Sequence, residues 1–448
     1  MTQLSNSTQT RKIHLVSLGC SRNRVDSEVM VGTLLRDGWK SVDDPDDADA
    51  VVVNTCGFIA SAKEESIDTI LSMAELKKTN PDMKLVVAGC LTQRYKTQLA
   101  KGLPEVDLFI GTDEFSKIAD LIDNGEKGSI HAKRTNYLYN EDMPRVNTLT
   151  SFSAYVKVAE GCQHNCAFCI IPAIRGRLRS RPVHSVVKEV MNLVDSGVVE
   201  INLIAQDLAA YGRDTGETNL VELLRALVKI DGLRWIRLLY AYPENISDEF
   251  LEIFANEDKI VKYLDIPVQH GSNSALKRMN REVTREQIIE TVQKLRARVP
   301  SVAIRTSVMV GFPGETAEEF DDLLNLVEEL KFDHLGCFTY SQEEGTVAGR
   351  MQDQIDEDIK VARMNEIMEA QKEISREKLR RFVGKRIPVL VAGPSEDSDL
   401  VWQGRMSVQA PEVDGLVYLN DGPVAAGKIQ EVEITDTYDY DLVGHVVH

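Results

Sequence analysis

The sequence predicts an α/β protein in three parts: an N-terminal parallel α/β sheet domain, a central partial (β/α) barrel and a small C-terminal antiparallel β-barrel. Three observations carry this expectation. From Lys12 to about Asp123, short apolar runs alternate with helical periodicity, the pattern of parallel strands joined by crossover helices. Six further strand-like runs with intervening helical stretches follow, the signature of a (β/α) barrel. From Lys385 onward, short alternating runs (IPVLVAG, LVWQGRM, GLVYLN, IQEVEIT) are broken by Gly, Pro and Asp, as in a small closed barrel. The expected domains are 12–135, 151–380 and 383–448, with 134–150 as a linker that shows no clean periodicity.

In the first domain three apolar runs finish in cysteine: IHLVSLGC at Cys20, AVVVNTC at Cys56 and KLVVAGC at Cys90. The carboxyl ends of parallel strands line one rim, so these thiols converge despite their separation in sequence. Each has a glycine neighbour, Gly19, Gly57 or Gly89, expected to allow close backbone approach to a bulky ligand. A single cysteine at a strand end is ordinarily a small buried hydrophobe. Three at equivalent positions point instead to a set of ligands.

The barrel strands are expected at Tyr155–Ala159, Glu200–Ala205, Trp235–Tyr240, Tyr263–Val268, Val302–Val310 and His334–Tyr340, with helices such as Ser185–Asp195, Leu220–Ile230, Arg285–Arg296 and Glu318–Leu330. Directly after the first strand lie Cys162, Cys166 and Cys169, which let one short loop offer three thiolates to one centre. Soft thiolates suit iron–sulfur clusters or zinc. Three ligands cover three irons of a cubane and leave the fourth open to an outside molecule. Structural zinc wants four closed ligands, and His164, two residues from both Cys162 and Cys166, is poorly placed to be the fourth. Cys20, Cys56 and Cys90 are read as the ligands of a second cluster, also with one open iron.

Other rim positions carry two readings each. Val310-Gly311-Phe312-Pro313-Gly314-Glu315 ends the fifth strand; Gly311 and Gly314 would let backbone meet an adenine or ribose, or form a plain strand-to-helix turn. Gln206 and Asp207 follow the second strand as ligand contacts or as a loop with a helix cap. Arg175, Arg177, Arg179 and Arg181 form a basic run whose members would hold a carboxylate or stand solvated at the surface; only Arg175 is assigned a functional role. His270 and Asp265 are structural residues or site contacts, and Cys337, inside the sixth strand, is a buried apolar side chain. The charged stretch Asp353–Arg381 is expected to be a helix with a solvated face.

With 448 residues, 43% of them hydrophobic, the chain can bury large cores. Seven cysteines in this length are no disulfide framework, and thiolate clusters need a reducing compartment. The first ten residues lack the apolar core of a signal peptide, so a cytoplasmic protein without a membrane segment is expected. The net charge of -18 disfavours a partner gripped through phosphates and favours a basic one. The terminal domain alone has four basic residues against eleven acidic ones, a net charge of -7.

The stretch EGCQHNCAFCIIP resembles the signature of radical S-adenosylmethionine enzymes. The resemblance implies a radical-SAM barrel with two 4Fe-4S clusters, in which S-adenosylmethionine chelates the open iron beside Cys162, Cys166 and Cys169 and is cleaved to a hydrogen-abstracting radical. It also assigns Phe168, Arg175, Gln206, Gly311 and Gly314 to cofactor binding. The whole chain from about residue 12 resembles the methylthiotransferases, which replace C–H with C–S–CH3, and its terminal barrel is TRAM-like. SLGCSRNRVDSE, CIIPAIRGRLRSRP, LIAQDLAAYG and WQGRMSVQAPEVDG resemble the RimO branch, which modifies the β-carbon of an aspartate in ribosomal protein S twelve. The implied partners are that protein, free or in the small subunit, and an electron donor such as flavodoxin or ferredoxin. The mechanism implied by the resemblance has both clusters facing one cavity. The MiaB type, a tRNA adenosine methylthiotransferase, is the alternative; an acidic terminal barrel is ill suited to an RNA grip. A ribosome-associated factor with inert clusters would close its coordination rather than leave it at three ligands.

Overall fold

A computed structural model describes residues 10–243, 246–395 and 398–447, with the side chains of all of these except 398–400. The first nine residues, and the acidic Glu396 and Asp397, lie outside the described residues. The chain forms two compact units: one of residues 1–148, 160–163 and 170–178, the other of 149–159, 164–169 and 179–448.

The first unit contains β1 (Lys12–Ser17), α1 (Ser21–Arg36), β2 (Lys40–Ser41), β3 (Ala50–Thr55), α2 (Ala60–Glu75), β4 (Lys84–Gly89), α3 (Cys90–Gly102), β5 (Leu108–Ile110), α4 (Ile118–Asn124) and β6 (Ser129–His131). Its sheet has the order β2-β1-β3-β4-β5-β6, parallel throughout. The unbroken apolar runs reflect burial on both faces, since successive side chains alternate across a strand. Val52, Val86 and Ile110 pack with Met30 and Leu34 of α1 and Ile118 of α4, while Val51, Val53, Val87 and Phe109 pack with Ile70 of α2 and Leu91 and Leu99 of α3. The sixth strand lies beyond Asp123, where the sequence pattern fades, and is only three residues long.

The second unit begins at β7 (Ser153–Lys157). The two-residue strands β8 (Ala159–Glu160) and β9 (Arg179–Ser180) flank the cysteine loop in sequence; the short α5 (Ile171–Arg175) between them belongs, with Glu160, to the first unit. Then come α6 (Val183–Asp195), β10 (Glu200–Ile204), α7 (Leu220–Leu227), β11 (Trp235–Leu238), α8 (Asp248–Asn256), β12 (Ile260–Asp265), α9 (Asn273–Arg278), α10 (Arg285–Arg298), β13 (Ala303–Val310), α11 (Ala317–Leu330) and β14 (His334–Thr339). The six long strands pair in parallel and in chain order, the arrangement of a partial (β/α) barrel. Thr284 and Thr316 start α10 and α11 with reciprocal capping boxes, to Gln287 and Glu319.

Several strand ends differ from expectation, two of them for a visible reason. β12 covers Ile260–Asp265 rather than Tyr263–Val268; it ends early because Pro267 has no N–H for a ladder, and Gln269 bridges onward to Val308. β11 stops at Leu238, two residues before Tyr240, which takes a left-handed φ of 69°.

The final helix, α12 (Glu357–Arg380), is not simply a solvated connector. It buries Ile367, Gln371, Ile374 and Leu379 and packs along β14 and α11, with Lys360 Nζ donating to the Tyr340 carbonyl at 3.1 Å. Beyond it, β15 (Arg386–Ser395), β16 (Ser398–Met406), β17 (Val417–Leu419), β18 (Ile429–Thr437) and β19 (Leu442–Val446) form a closed barrel. Its pairings are antiparallel except β17 with β19, which the intervening β18 brings side by side in parallel.

The barrel packs on the N-terminal ends of the central strands, where Leu390 and Ala410 join Phe152, Trp235, Val261, Tyr263 and Ala303. Beneath lies a buried charge cluster: Glu200 accepts from Arg237 at 3.0 Å and from Arg405 at 2.5 Å. Tyr155 and Tyr263 donate to Glu412 and Asp414 at 2.9 and 2.7 Å. Residues 405–414 therefore close the bottom of the central barrel, leaving the C-terminal ends of its strands as the rim for a site. Among the described residues no helix is long and apolar enough to cross a membrane.

Candidate metal centres

In the first unit, register alone brings the three thiols to one rim. Ser17 pairs with Asn54 and Thr55 with Gly89, so the carboxyl ends of β1, β3 and β4 stand level. Cys56 follows β3 directly, Cys90 is the first residue of α3, and Cys20 caps α1, three residues past the end of β1. The adjacent glycines allow close packing within the protein itself. A Cβ at Gly19 (φ 89°) would stand 2.9 Å from Cys56 Cβ, one at Gly57 would meet Leu91 at 2.8 Å and one at Gly89 would meet Asn54 Oδ1 at 2.3 Å. These positions let the strand ends close on one another.

The thiols are close enough to feel each other's charge. Burial pushes Cys90 up to about 12, with Cys20 and Cys56 adding to the rise and Arg175 opposing it. Burial also raises Cys56, against a backbone N–H of Phe58 and with help from Cys20. For Cys20 the desolvating surroundings act upward, but Arg22 and Arg175 bring it below its usual value. Among the described residues no three His, Cys, Asp or Glu side chains surround one point as a single ion would require. A cubane makes no such demand, since each thiolate binds a different iron. Three converging thiols with no nitrogen or oxygen ligand among them fit that group.

Arg175 lies in the same unit. Sequence reasoning expected its guanidinium to face a cofactor or substrate carboxylate. Instead Nη1 donates to Asp26 Oδ2 at 2.6 Å and Glu160 Oε2 at 3.3 Å, while Nη2 donates to Asn23 Oδ1 at 2.9 Å and to Cys90 Sγ at 3.2 Å. Asn23 is fixed in turn, its Nδ2 donating to the carbonyls of Leu18 at 2.8 Å and Thr55 at 3.0 Å. Asn23 and Asp26, three apart on α1, were missed as candidates; their i, i+3 spacing was the available signal.

The chain passes between the units within the cysteine loop itself, Cys162 belonging to the first and Cys166 and Cys169 to the second. Cys162 is buried, its N–H donating to the Gly176 carbonyl at 3.1 Å. In the second unit, Ala167 N–H donates to the Met279 carbonyl and Ala348 N–H to the Ala167 carbonyl, both at 2.8 Å, pinning the loop. Phe168 packs on an apolar cluster of Ala167, Met279, Phe312, Tyr340 and Ala348. Cys166 Sγ lies 3.9 Å from Tyr242 Oη and 3.8 Å from Arg281 Nη1. The Arg281 guanidinium lies over the Tyr242 ring, 4.0 Å from its centroid, and His164 stacks on the same ring at 4.1 Å. Tyr242 and Arg281 carried no recognisable motif in the sequence. His164 Nε2 is engaged 2.8 Å from Asp207 Oδ2.

The remaining candidates divide between site and scaffold. Asp207 Oδ1 accepts from Ala209 N–H at 3.1 Å, the helix-cap role, and Gln206 is buried beside it at the end of β10. The Gly311–Gly314 segment is a closed turn: Glu315 Oε2 accepts from Gly311 N–H at 2.8 Å and lies 3.3 Å from His270 Nε2. Gly311 has φ 72°, and an added Cβ would meet Lys360 Cγ at 2.2 Å, so its freedom serves a turn against α12. Asp265 accepts from Arg305 at 3.2 Å inside the barrel, and Cys337 is buried with its thiol pushed up to about 12 by burial. Arg181, expected at the surface, is buried and bonds Glu189, Ser185 and the Lys157 carbonyl. Burial of an arginine requires such partners.

Comparison with known proteins agrees with this architecture. Residues 12–111 match the model of uncharacterized protein family UPF0004, residues 156–327 the radical SAM superfamily and residues 383–447 the TRAM domain. The chain is 49% identical over 448 residues to the ribosomal protein uS12 methylthiotransferase RimO of Bdellovibrio bacteriovorus, covering 98% of both chains. It is 48% identical to the protein of the same name from Geobacter sulfurreducens, covering 98% of this chain and 100% of that one. Among solved structures, the radical S-adenosylmethionine methyltransferase TsrM of Kitasatospora setae, with cobalamin and a [4Fe-4S] cluster bound, superposes with a TM-score of 0.55 at 17% identity over 76% of this chain and 77% of that one. The cobalamin-dependent radical enzyme OxsB gives 0.54 at 16% identity, over 82% of this chain and 56% of that one. At that identity the two structures share the fold. The full-length relatives settle membership: the chain belongs to the ribosomal protein uS12 methylthiotransferase RimO family of radical SAM enzymes.

Proposed function

We propose that this enzyme places a methylthio group on the β-carbon of an aspartate in ribosomal protein uS12, using two [4Fe-4S] clusters held by Cys20, Cys56 and Cys90 and by Cys162, Cys166 and Cys169. The observation that carries the reading is the convergence of three strand-end thiols in a chain that also has the three-cysteine loop. When bound, such clusters supply an electron to cleave S-adenosylmethionine and an open iron for a sulfur species.

The chain's own groups prepare both sites. Cys56 and Cys90, raised by burial, stay protonated until metal displaces their protons, so loading is proton-coupled. The stack of His164, Tyr242 and Arg281 holds the loop at Cys166, and the apolar cluster around Phe168 keeps water from it. Gln206, Gly311 and Gly314 belong to the S-adenosylmethionine side of the rim, with Glu315 fixing the turn that carries the two glycines.

Exposed Asp421, Glu431 and Asp436 on the terminal barrel suit a basic ribosomal protein better than RNA. This disfavours a tRNA adenosine as substrate. The reading places the enzyme in the cytoplasm with a flavodoxin or ferredoxin as reductant. Mass spectrometry of uS12 and of tRNA from cells with and without the gene tests it. A methylthio mass gain on uS12 that disappears with the gene is expected; the same gain on tRNA alone would overturn the assignment.

A further inference from the structure

The Arg175 guanidinium is engaged by groups of the protein itself. Arg175 is 2% exposed, and its guanidinium contacts Asp26, Glu160, Asn23 and Cys90 within one unit. Burying an arginine is unfavourable unless its donors are satisfied, and here one donor is spent on sulfur. Cys90 is buried and packs with Ile170, Ile174 and Phe58. A charge-assisted N–H···S contact acts strongly in such a setting.

Asn23 makes the arrangement rigid. One amide group ties the Leu18 and Thr55 carbonyls, near the ends of β1 and β3, while its oxygen receives Arg175. Asn54 Nδ2 adds bonds to the Asn23 carbonyl at 2.9 Å and Ser27 Oγ at 2.8 Å. The guanidinium is thus aimed at Cys90 by the same groups that set the spacing of the strand ends.

We propose that Arg175 is a positioning residue of the N-terminal metal centre, donating from Nη2 to the Cys90 ligand sulfur and so raising the reduction potential of the cluster there. The inference rests on the reading of Cys20, Cys56 and Cys90 as cluster ligands. A hydrogen bond to a ligand sulfur stabilises the reduced, more negative state, and hydrogen bonds to the sulfurs are among the determinants of cluster potential. Asp26 and Glu160 hold the guanidinium in place through its other amino group, leaving Nη2 for Asn23 and the sulfur.

The test uses full-length protein in which Cys162, Cys166 and Cys169 are replaced by alanine, so that only the N-terminal centre can load. Iron content, EPR-monitored reductive titration and urea midpoint are compared for this parent and its Arg175→Lys and Arg175→Gln derivatives. The expected result is retained iron in the lysine variant, with a more negative midpoint potential and an altered EPR signal in both derivatives that hold iron, the glutamine variant shifting further. Loss of iron from both derivatives at an unchanged urea midpoint would likewise support a direct role at the metal. An unchanged potential and spectrum in an iron-loaded derivative would overturn the proposal, as would iron loss accompanied by a lowered urea midpoint. A parent that binds no iron would instead overturn the assignment of the three ligands, and this inference with it.

Discussion

Glu200→Gln should destabilise the second unit by about 3–5 kcal/mol, the usual cost of removing one partner from a buried ion pair. Glu200 is fully buried and accepts from both Arg237, itself fully buried, and Arg405. Burial alone would raise its carboxyl, but Arg405 and Arg237 bring it from 4.5 down to about 2. That shift corresponds to about 3 kcal/mol in favour of the ionised, folded state. Glutamine fills the space but leaves two guanidinium groups facing a neutral amide.

The assay is urea unfolding followed by tryptophan fluorescence. The chain has three tryptophans, so a Trp39→Phe background leaves Trp235 and Trp402, both in the second unit, as reporters. With a slope near 3 kcal/mol per M, the midpoint should fall by about 1 M or more. Because the folded carboxyl is depressed, its contribution is full above pH 4.5 and is lost as the pH falls toward 2. The gap between parent and variant should therefore be constant from neutrality to about 4.5 and then narrow. A loss below about 1 kcal/mol at neutral pH, or a gap that widens in acid, would refute the reasoning.

Other outcomes follow from the same geometry. Cys337→Ser should leave iron content unchanged, and in the parent Cys337 should be alkylated much more slowly at pH 8 than a free thiol, since burial holds its thiol at about 12; iron analysis of the variant reads the first and peptide mass mapping after iodoacetamide treatment the second. Replacing exposed Glu431 and Asp436 together by lysine should slow association with uS12 at low salt by about tenfold and flatten its salt dependence, with little effect on cleavage of S-adenosylmethionine in the absence of uS12; stopped-flow association at several ionic strengths is the measurement. Gly311→Ala should lower the thermal midpoint by several degrees, because φ 72° and the Lys360 side chain both oppose a Cβ, with the loss read by differential scanning fluorimetry.

Where the sequence was legible, local chemistry and fold agreed. The three strand-end cysteines could be placed on one rim because apolar runs of near-constant length preceded each of them, and parallel pairing does the rest. The helices expected at Arg285–Arg296 and Glu318–Leu330 appear as α10 and α11 with ends within two residues of expectation. What was not legible depended on contacts that no local motif marks. Arg175 looked like a ligand for a carboxylate, and its actual partners include carboxylates, but those of Asp26 and Glu160 in the protein itself. Arg181 belonged to the same alternating run and turned inward to Glu189. No local pattern separates a buried, acid-paired arginine from an exposed one. The acid excess of the terminal barrel was visible by counting, yet Asp414 is spent inside the central barrel on Tyr263. Charge composition therefore overstated what the surface offers to a partner.

Iron and sulfide analysis combined with Mössbauer spectroscopy, after anaerobic reconstitution, tests the two-centre account most directly. The samples are the unmodified protein, the Cys20, Cys56 and Cys90 triple alanine variant and the Cys162, Cys166 and Cys169 triple alanine variant. The account predicts that each triple variant retains half the iron of the unmodified protein, in the spectral form of a [4Fe-4S] cluster. Full iron in either triple variant, or an unmodified protein that saturates at a single cluster, would contradict it.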